Sequence, residues 1–221
     1  MKKQLPVPRI WLWSFLAWLF FAAGCSQAYV SSQFDSAMAT NPTVAVLPYQ
    51  IIFQGKPPKG MTAEDMEQID SRERIAFQKS FFRWLGSRWR QRPVRLQNTS
   101  ITNARLAEAN IDLARLSDYP PDELARTLGV DHVFSCVVVK HRYRSELASF
   151  GLDAANIFLR QEGLAVNSQT NDVNITANLI RASDGATLWS HTREGAVQWD
   201  RPLTQVMDNI HQRLMRQMPR K

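Results

Sequence analysis

The apolar positions of this chain change spacing from one stretch to the next, and each spacing predicts a different element. Residues 10–21, Ile10-Trp11-Leu12-Trp13-Ser14-Phe15-Leu16-Ala17-Trp18-Leu19-Phe20-Phe21, are apolar almost without a break. Residues 26–42 are rich in Ser and Ala, show neither a helical nor a strand period, and read as a polar tether. Thr43-Val44-Ala45-Val46-Leu47-Pro48-Tyr49 is a short β-branched run, expected to form a first strand that ends near Pro48. Gln54-Gly55-Lys56-Pro57-Pro58-Lys59-Gly60 reads as a loop from its Gly and Pro content. From Thr62 the spacing becomes helical. Phe77, Phe81, Trp84, Leu85 and Trp89 recur on one stripe, and Thr62 is placed to cap a helix whose early turns hold Glu64, Asp65 and Glu67. Pro93 ends that helix, and a short strand follows at 94–96.

The second half reads in the same way. Leu106, Ala109, Leu113 and Leu116 predict a helix over 104–116, and Pro120-Pro121-Asp122-Glu123 opens another that closes at Gly129. Residues 131–143 form a strong strand. Residues 145–170 are hard to read, with a helix expected over 152–162 and a loop over 167–171. Val173, Ile175, Ala177 and Leu179 alternate with Asn174, Thr176 and Asn178, so one face of a strand is buried and the other wet. Ser183-Asp184-Gly185 turns the chain into a partner strand at 187–191. An amphipathic helix with Leu203, Val206, Met207, Ile210 and Leu214 on one face is expected over 202–218. The predicted fold class is α/β (α+β): a mixed β-sheet flanked by helices, as one domain over 43–221.

The apolar run at 10–21 follows Lys2, Lys3 and Arg9 and ends in Ala22-Ala23-Gly24-Cys25. A positive start, a short apolar core and small residues before a cleavage point predict a secretory signal peptide over 1–24, cut after Gly24. The run is too short to span a bilayer, which takes roughly 20 apolar residues. Ala22-Ala23-Gly24-Cys25 resembles the lipobox of bacterial lipoproteins, with Ala22 where that pattern usually has Leu or Val. The resemblance implies that Cys25 carries the lipid (palmitate among its acyl chains) and becomes the mature N-terminus. Several chains on one residue hold a protein stably on a membrane, since each buried methylene contributes ~0.8 kcal/mol. Ser26, rather than Asp, follows the cysteine; by the same resemblance the protein goes to the periplasmic face of the outer membrane.

Removing 1–24 takes away three of the 27 basic residues and none of the 20 acidic ones, so the net charge falls from +7 to +4. That modest excess does not call for a nucleic-acid partner. Of the two cysteines, Cys25 is assigned to the lipid, which leaves Cys136 in a Val-rich strand as a packed thiol and no internal disulfide.

Thr43-Val44-Ala45-Val46-Leu47-Pro48 at the start, Asp122-Glu123-Leu124-Ala125-Arg126-Thr127-Leu128-Gly129-Val130-Asp131-His132-Val133 at a helix–strand junction, and the hairpin over 177–190 occur in an order that looks familiar. It resembles a superfamily of periplasmic lipoproteins and domains. This includes the curli secretion lipoprotein, the lipoprotein activator of penicillin-binding proteins, and the N-terminal domain of the Tol translocation protein. The resemblance implies a mixed sheet flanked by helices and a role in binding rather than catalysis, with an envelope protein or a second copy of the chain as partner. The sequence shows no extended pair of amphipathic hairpins of the kind a curli-type pore needs.

Candidate chemistry is sparse. His132, His141, His191 and His211 are not at metal-ligand spacing, and neither a nucleophile elbow nor a phosphate loop is present, so no metal and no cofactor is expected. The carboxylates at 64, 65, 67, 70 and 73 fit a helix dipole and a solvated face. Two stretches suggest binding. Arg83, Trp84, Arg88 and Trp89 interleave cations with aromatics, a pattern that suits anionic lipid head groups, glycan strands or nucleic acid. Arg142, Tyr143 and Arg144 close the central strand, where binding residues gather. Other arrangements of the same residues are a buried aromatic stripe with arginines reaching outward, and a solvated strand end. The expected function is an outer-membrane-anchored, non-catalytic binding or scaffolding lipoprotein; the alternatives are a periplasmic hydrolase with an unrecognised site and a glycan- or ligand-binding lipoprotein.

Overall fold

The structure, a computed structural model, describes residues 28–54, 62–142, 171–197 and 203–220. Its elements in chain order are β1 (Tyr29–Val30), α1 (Phe34–Ala39), β2 (Thr43–Val46), β3 (Gln50–Gln54), α2 (Ala63–Arg88), β4 (Arg95–Leu96), α3 (Thr99–Glu108), a 3-10 turn (Leu113–Asp118), α4 (Pro121–Leu128), β5 (His132–Arg142), β6 (Asn171–Arg181), β7 (Thr187–Val197) and α5 (Leu203–Gln217). The strands make one mixed sheet in the order β1-β7-β6-β5-β2-β4, with β3 also paired to β5. β2 and β3 run parallel to β5, while β6 and β7 run antiparallel to their neighbours. The expected mixed sheet flanked by helices is present.

Both faces of the sheet are covered around the start of β5. One face packs under α1, α2 and α5 through Phe34, Phe77, Phe81, Phe134, Trp189 and Leu214. The other packs under α3 and α4 through Ala45, Leu47, Leu106, Leu124, Leu128 and Val133. Alternation along β2 supplies both layers, since Val44 and Val46 face the first and Ala45 and Leu47 the second.

Local signals explain most element ends. Thr62 accepts from the Asp65 backbone while Asp65 accepts from the Thr62 backbone, a reciprocal cap that starts α2. Pro121 occupies the first turn of α4, and Gly129 ends it at φ 60°. Gly185 takes φ 71° in the β6–β7 turn, where Asp184 also pairs with Arg181 at 2.6 Å.

Three expectations are corrected. The tether over 26–42 does not extend through that range: Tyr29 and Val30 pair with Ser190 and Trp189, and Phe34 and Met38 are buried in the core. Two apolar anchors four residues apart are enough to dock a short helix once a core exists to receive them. The domain therefore begins at or before residue 28, not at 43. The helix expected over 104–116 begins earlier, where the Asn98 side chain caps it, and ends at Glu108; Asn110 then adopts φ 55° and the chain restarts as the 3-10 turn. The first strand is interrupted at Pro48, which has no N–H for the ladder, and resumes as β3, which extends over Gln54. The expected helix over 152–162 and nearly all of the loop over 167–171 lie outside the described residues; Asn171 itself opens β6.

Candidate functional site

α2 and α5 lie side by side and run in the same direction. Ser80 meets Asp208 and His211 near the middle of α2, while Arg88 at its end meets the backbone of Arg216 and Met218. The carboxyl ends of both helices therefore reach the same end of the molecule. The Arg88 Nε donates to the Met218 carbonyl at 2.9 Å, and the Arg92 Nε to the Arg220 carbonyl at 3.2 Å. Cations at helix C-termini are favourable because the last carbonyls carry partial negative charge. Beside them is a hollow of about 280 Å³ lined by Trp84, Arg88, Met215, Arg216 and Arg220. Burial, with Arg220 and Arg92 nearby, pulls the Arg88 pKa down.

The first sequence-derived stretch is thus divided. Trp89 is 3 % exposed, with its ring 5.7 Å from that of Phe134, so it faces the core and not a ligand. Trp84 is half-buried and lines the hollow. Arg83 is exposed and paired with Asp208 at 3.3 Å. Arg88 is the member of the set held in place by hydrogen bonds at the hollow. Arg216 and Arg220 were not singled out from the sequence. The available signal was charge: no acidic residue occurs between Glu73 and Glu108 or after Asp208. Arg142 ends β5, but its side chain, together with Tyr143 and Arg144, lies outside the described residues, as do Gly24 and Cys25.

A second cluster joins α2, α5 and the sheet. The Tyr49 hydroxyl is 2.8 Å from His211 Nε2, and Ser80 Oγ is 2.8 Å from His211 Nδ1 and also donates to Asp208. Cys136 lies against Tyr49 at the inner end of this chain, and burial pushes its thiol up to about 12. The components are those of a hydrolase, but their order is not. In an acyl-transfer triad the imidazole stands between serine and carboxylate; here Ser80 stands between Asp208 and His211. His211 is fully buried, and burial brings its pKa down to about 3, far from the value a general base needs near neutrality. The cluster works as a fastener between elements.

A wider cleft of about 800 Å³ lies among α1, α4, the start of β5 and the β6–β7 turn. Arg126 and Arg181 on its wall are each paired, with Asp122 and Asp184. His132 lines it at 4 % exposure, and neither ring nitrogen has a hydrogen-bond partner. At the opposite end of β5, the Lys140 ammonium sits between Asp70, at 2.8 Å, and Glu73.

Among the described residues, no helix is long and apolar enough to cross a membrane. No family model matches the sequence, and no curated protein matches it significantly. Solved structures do show likeness. The PelC dodecamer from Paraburkholderia phytofirmans is 15 % identical over 88 % of this chain and 96 % of that one, with a TM-score of 0.43. Lipoprotein GNA1162 from Neisseria meningitidis is 11 % identical over 80 % and 96 %, with a TM-score of 0.42. The LpoB C-terminal domain from Escherichia coli is 12 % identical over 84 % and 93 %, with a TM-score of 0.31. At such identities and scores the functional reading rests on the residues of this chain.

Proposed function

We propose that this chain is a bacterial envelope lipoprotein, anchored through Cys25 to the periplasmic face of the outer membrane, whose folded part binds a protein partner without catalysis. The observation that carries this reading is the order Lys2-Lys3, Arg9, the apolar run at 10–21, and Ala22-Ala23-Gly24-Cys25-Ser26. The sheet supports the binding role. β7 spans Thr187–Val197, yet β1 pairs only with Ser190 and Trp189. Among the described residues no strand pairs with the outer edge of β7 from His191 onward. An unpaired edge is a template on which a partner adds a strand. The Ser80–His211 chain has the wrong order and proton affinity for hydrolysis, which weighs against the hydrolase alternative.

The test is intact mass spectrometry of the protein recovered from envelopes, followed by crosslinked pull-down. The reading expects a mature chain starting at Cys25 with acyl chains attached. It also expects a specific envelope protein that is lost with Thr192→Lys on the β7 edge. An unmodified chain, or one still carrying residues 1–24, overturns the anchor. Turnover of a small molecule without a protein partner overturns the binding role.

A further inference from the structure

Two acid-free stretches of sequence, residues 74–107 and 209–221, come together where α2 and α5 end. Arg88 and Arg92 are spent on the carbonyls of Met218 and Arg220, and Arg92 also pairs with Asp35 at 3.2 Å. Arg90, Arg216 and Arg220 are exposed and have no acidic partner among the described residues. The first described residues lie near this end: β1 runs antiparallel to β7 and toward it, with Val30 opposite Trp189. Arg92 lies 5.1 Å over the Phe34 ring, and β1 pairs with the opening residues of β7.

We infer that the α2/α5 end of the domain is a docking surface for the anionic phosphate head groups of the bilayer to which Cys25 is anchored. The inference rests on the lipoprotein reading above. Its first support is reach. Three peptide steps separate Cys25 from Ala28, and three extended residues span at most roughly 10 Å. That is close to the distance over which salt leaves charges visible to one another, about 8 Å at physiological ionic strength. A domain tied so closely cannot stand clear of the surface, and Tyr29, opposite Ser190, lies three strand residues, roughly 10 Å, from the β7 opening at the basic end. The second support is shape. The hollow of about 280 Å³ between Trp84, Arg88, Arg216 and Arg220 offers guanidinium donors around a half-buried indole. Guanidinium forks bind phosphate oxygens in pairs, and indoles favour the head-group level of a membrane. The third is cost. Arg88 sits close to Arg92 and Arg220, and the three like charges repel until an anion enters.

The test uses the full chain as processed in cells, reconstituted into vesicles of phosphatidylcholine alone or of three parts phosphatidylcholine to one of phosphatidylglycerol. A fluorophore is placed on Gln217→Cys at the end of α5 or, as a far-end control, on Gln68→Cys near the start of α2. The readout is quenching by head-group nitroxide lipids. Docking predicts quenching at 217 several-fold above that at 68 on the anionic vesicles. It also predicts a fall to the phosphatidylcholine level in high salt or with Arg90→Gln, Arg216→Gln and Arg220→Gln combined. Each arginine near an anionic surface contributes about fivefold in affinity, so the triple variant should lose on the order of a hundredfold. Equal quenching at both sites, or at 217 on both vesicle types, overturns the docking surface. Release of the signal by free inorganic phosphate at low concentration also overturns it, in favour of a small-anion site. Intact mass separates the two readings. An acylated chain with equal quenching keeps the anchor and loses the surface. An unacylated chain still quenched at 217 on anionic vesicles keeps the surface and loses the anchor.

Discussion

Replacing His211 by glutamine separates the buried hydrogen-bond chain from every other pH-sensitive group in the fold. The neutral ring fits its partners in one direction. Tyr49, whose pKa is raised chiefly by burial, stays protonated and donates to Nε2; Nδ1–H then donates to Ser80, whose hydroxyl donates to Asp208. Burial is the main penalty on a second ring proton, which would also meet the Tyr49 hydroxyl head-on; Asp208 offsets part of that penalty and Arg83 adds a smaller like-charge cost. The folded-state pKa is accordingly about 3, against about 6.5 in the unfolded chain. Because the folded value is depressed, the unfolded state binds the extra proton first as pH falls. The contribution is complete above pH ~6.5 and is lost progressively from there down to about 3. One such group loses ~1.4 kcal/mol per pH unit, or ~2 kcal/mol between pH 7 and pH 5. His132 and His191, both depressed chiefly by burial, add to the loss in the parent protein and remain in the variant. Urea unfolding at the two pH values is the assay. His211→Gln should be less stable at pH 7 by about 1–3 kcal/mol through lost hydrogen bonds. Its further loss on going to pH 5 should be smaller than the parent's by ~2 kcal/mol. Equal losses in both proteins, or an NMR titration of His211 near pH 6.5 in the folded state, would refute the argument.

Phe34→Ala should cost about 3–5 kcal/mol in denaturant midpoint measurements, because the ring is 1 % exposed in the main core; a tether residue would cost almost nothing. Gly129→Ala should lower stability by ~1 kcal/mol with an unchanged urea m-value. Its φ of 60° disfavours a side chain, while the nearest obstacle is only the flexible end of Arg105. Lys140→Met leaves Asp70 and Glu73 facing each other at 11 % and 19 % side-chain exposure, so it should destabilise by about 3 kcal/mol at pH 7. Glu73, already raised chiefly by burial, then loses the cation that draws it down. Its folded pKa rises further above the unfolded one, so the deficit relative to the parent should shrink as pH falls to 4. A deficit that does not change with pH would show that Lys140 acts by packing alone.

Elements whose neighbours lie close in sequence were legible. β6 and β7 alternate visibly because one face meets Ile175 and Leu179 in the core while Asn174 and Thr176 sit on the open one. α4 announces both of its ends, with Pro121 and with Gly129. β3 was missed although Ile51-Ile52-Phe53 carries a strand-like composition, since Pro48 looked like a stop and acts as an interruption. α1 was missed because six residues give too little periodicity; its burial is decided by β7 and α2, remote in sequence. The cationic hollow depends on Arg88 meeting Met218 across 130 residues. Only the lack of acids in both stretches hinted that their charges would not be cancelled.

The two contacts proposed for this protein fall at opposite ends of the sheet, and the fold explains why they need not compete. Near the start of β5, α3 and α4 cover one face and α1, α2 and α5 the other, so the strands there are closed to partners. Farther along β5, Val138, Val173 and Ile175 still face the core under α2 and α5. Val139, Asn174, Thr176 and Thr192, on the opposite face, are half-buried or exposed. The Thr176 and Thr192 hydroxyls satisfy each other at 3.0 Å across the strands, which lets that face stay wet without a helix over it. The open β7 edge begins on this same side, beyond the two residues that β1 pairs with. An anchor that draws the Arg216–Arg220 end toward the bilayer leaves the far end of β7, toward Val197, the more distant from it. Ser80, His211 and Tyr49 fasten α5, which carries Arg216, to α2 and to the strand region that follows β2. His211→Gln, by loosening that fastening, should weaken vesicle docking and partner capture together, whereas Arg216→Gln should weaken docking alone.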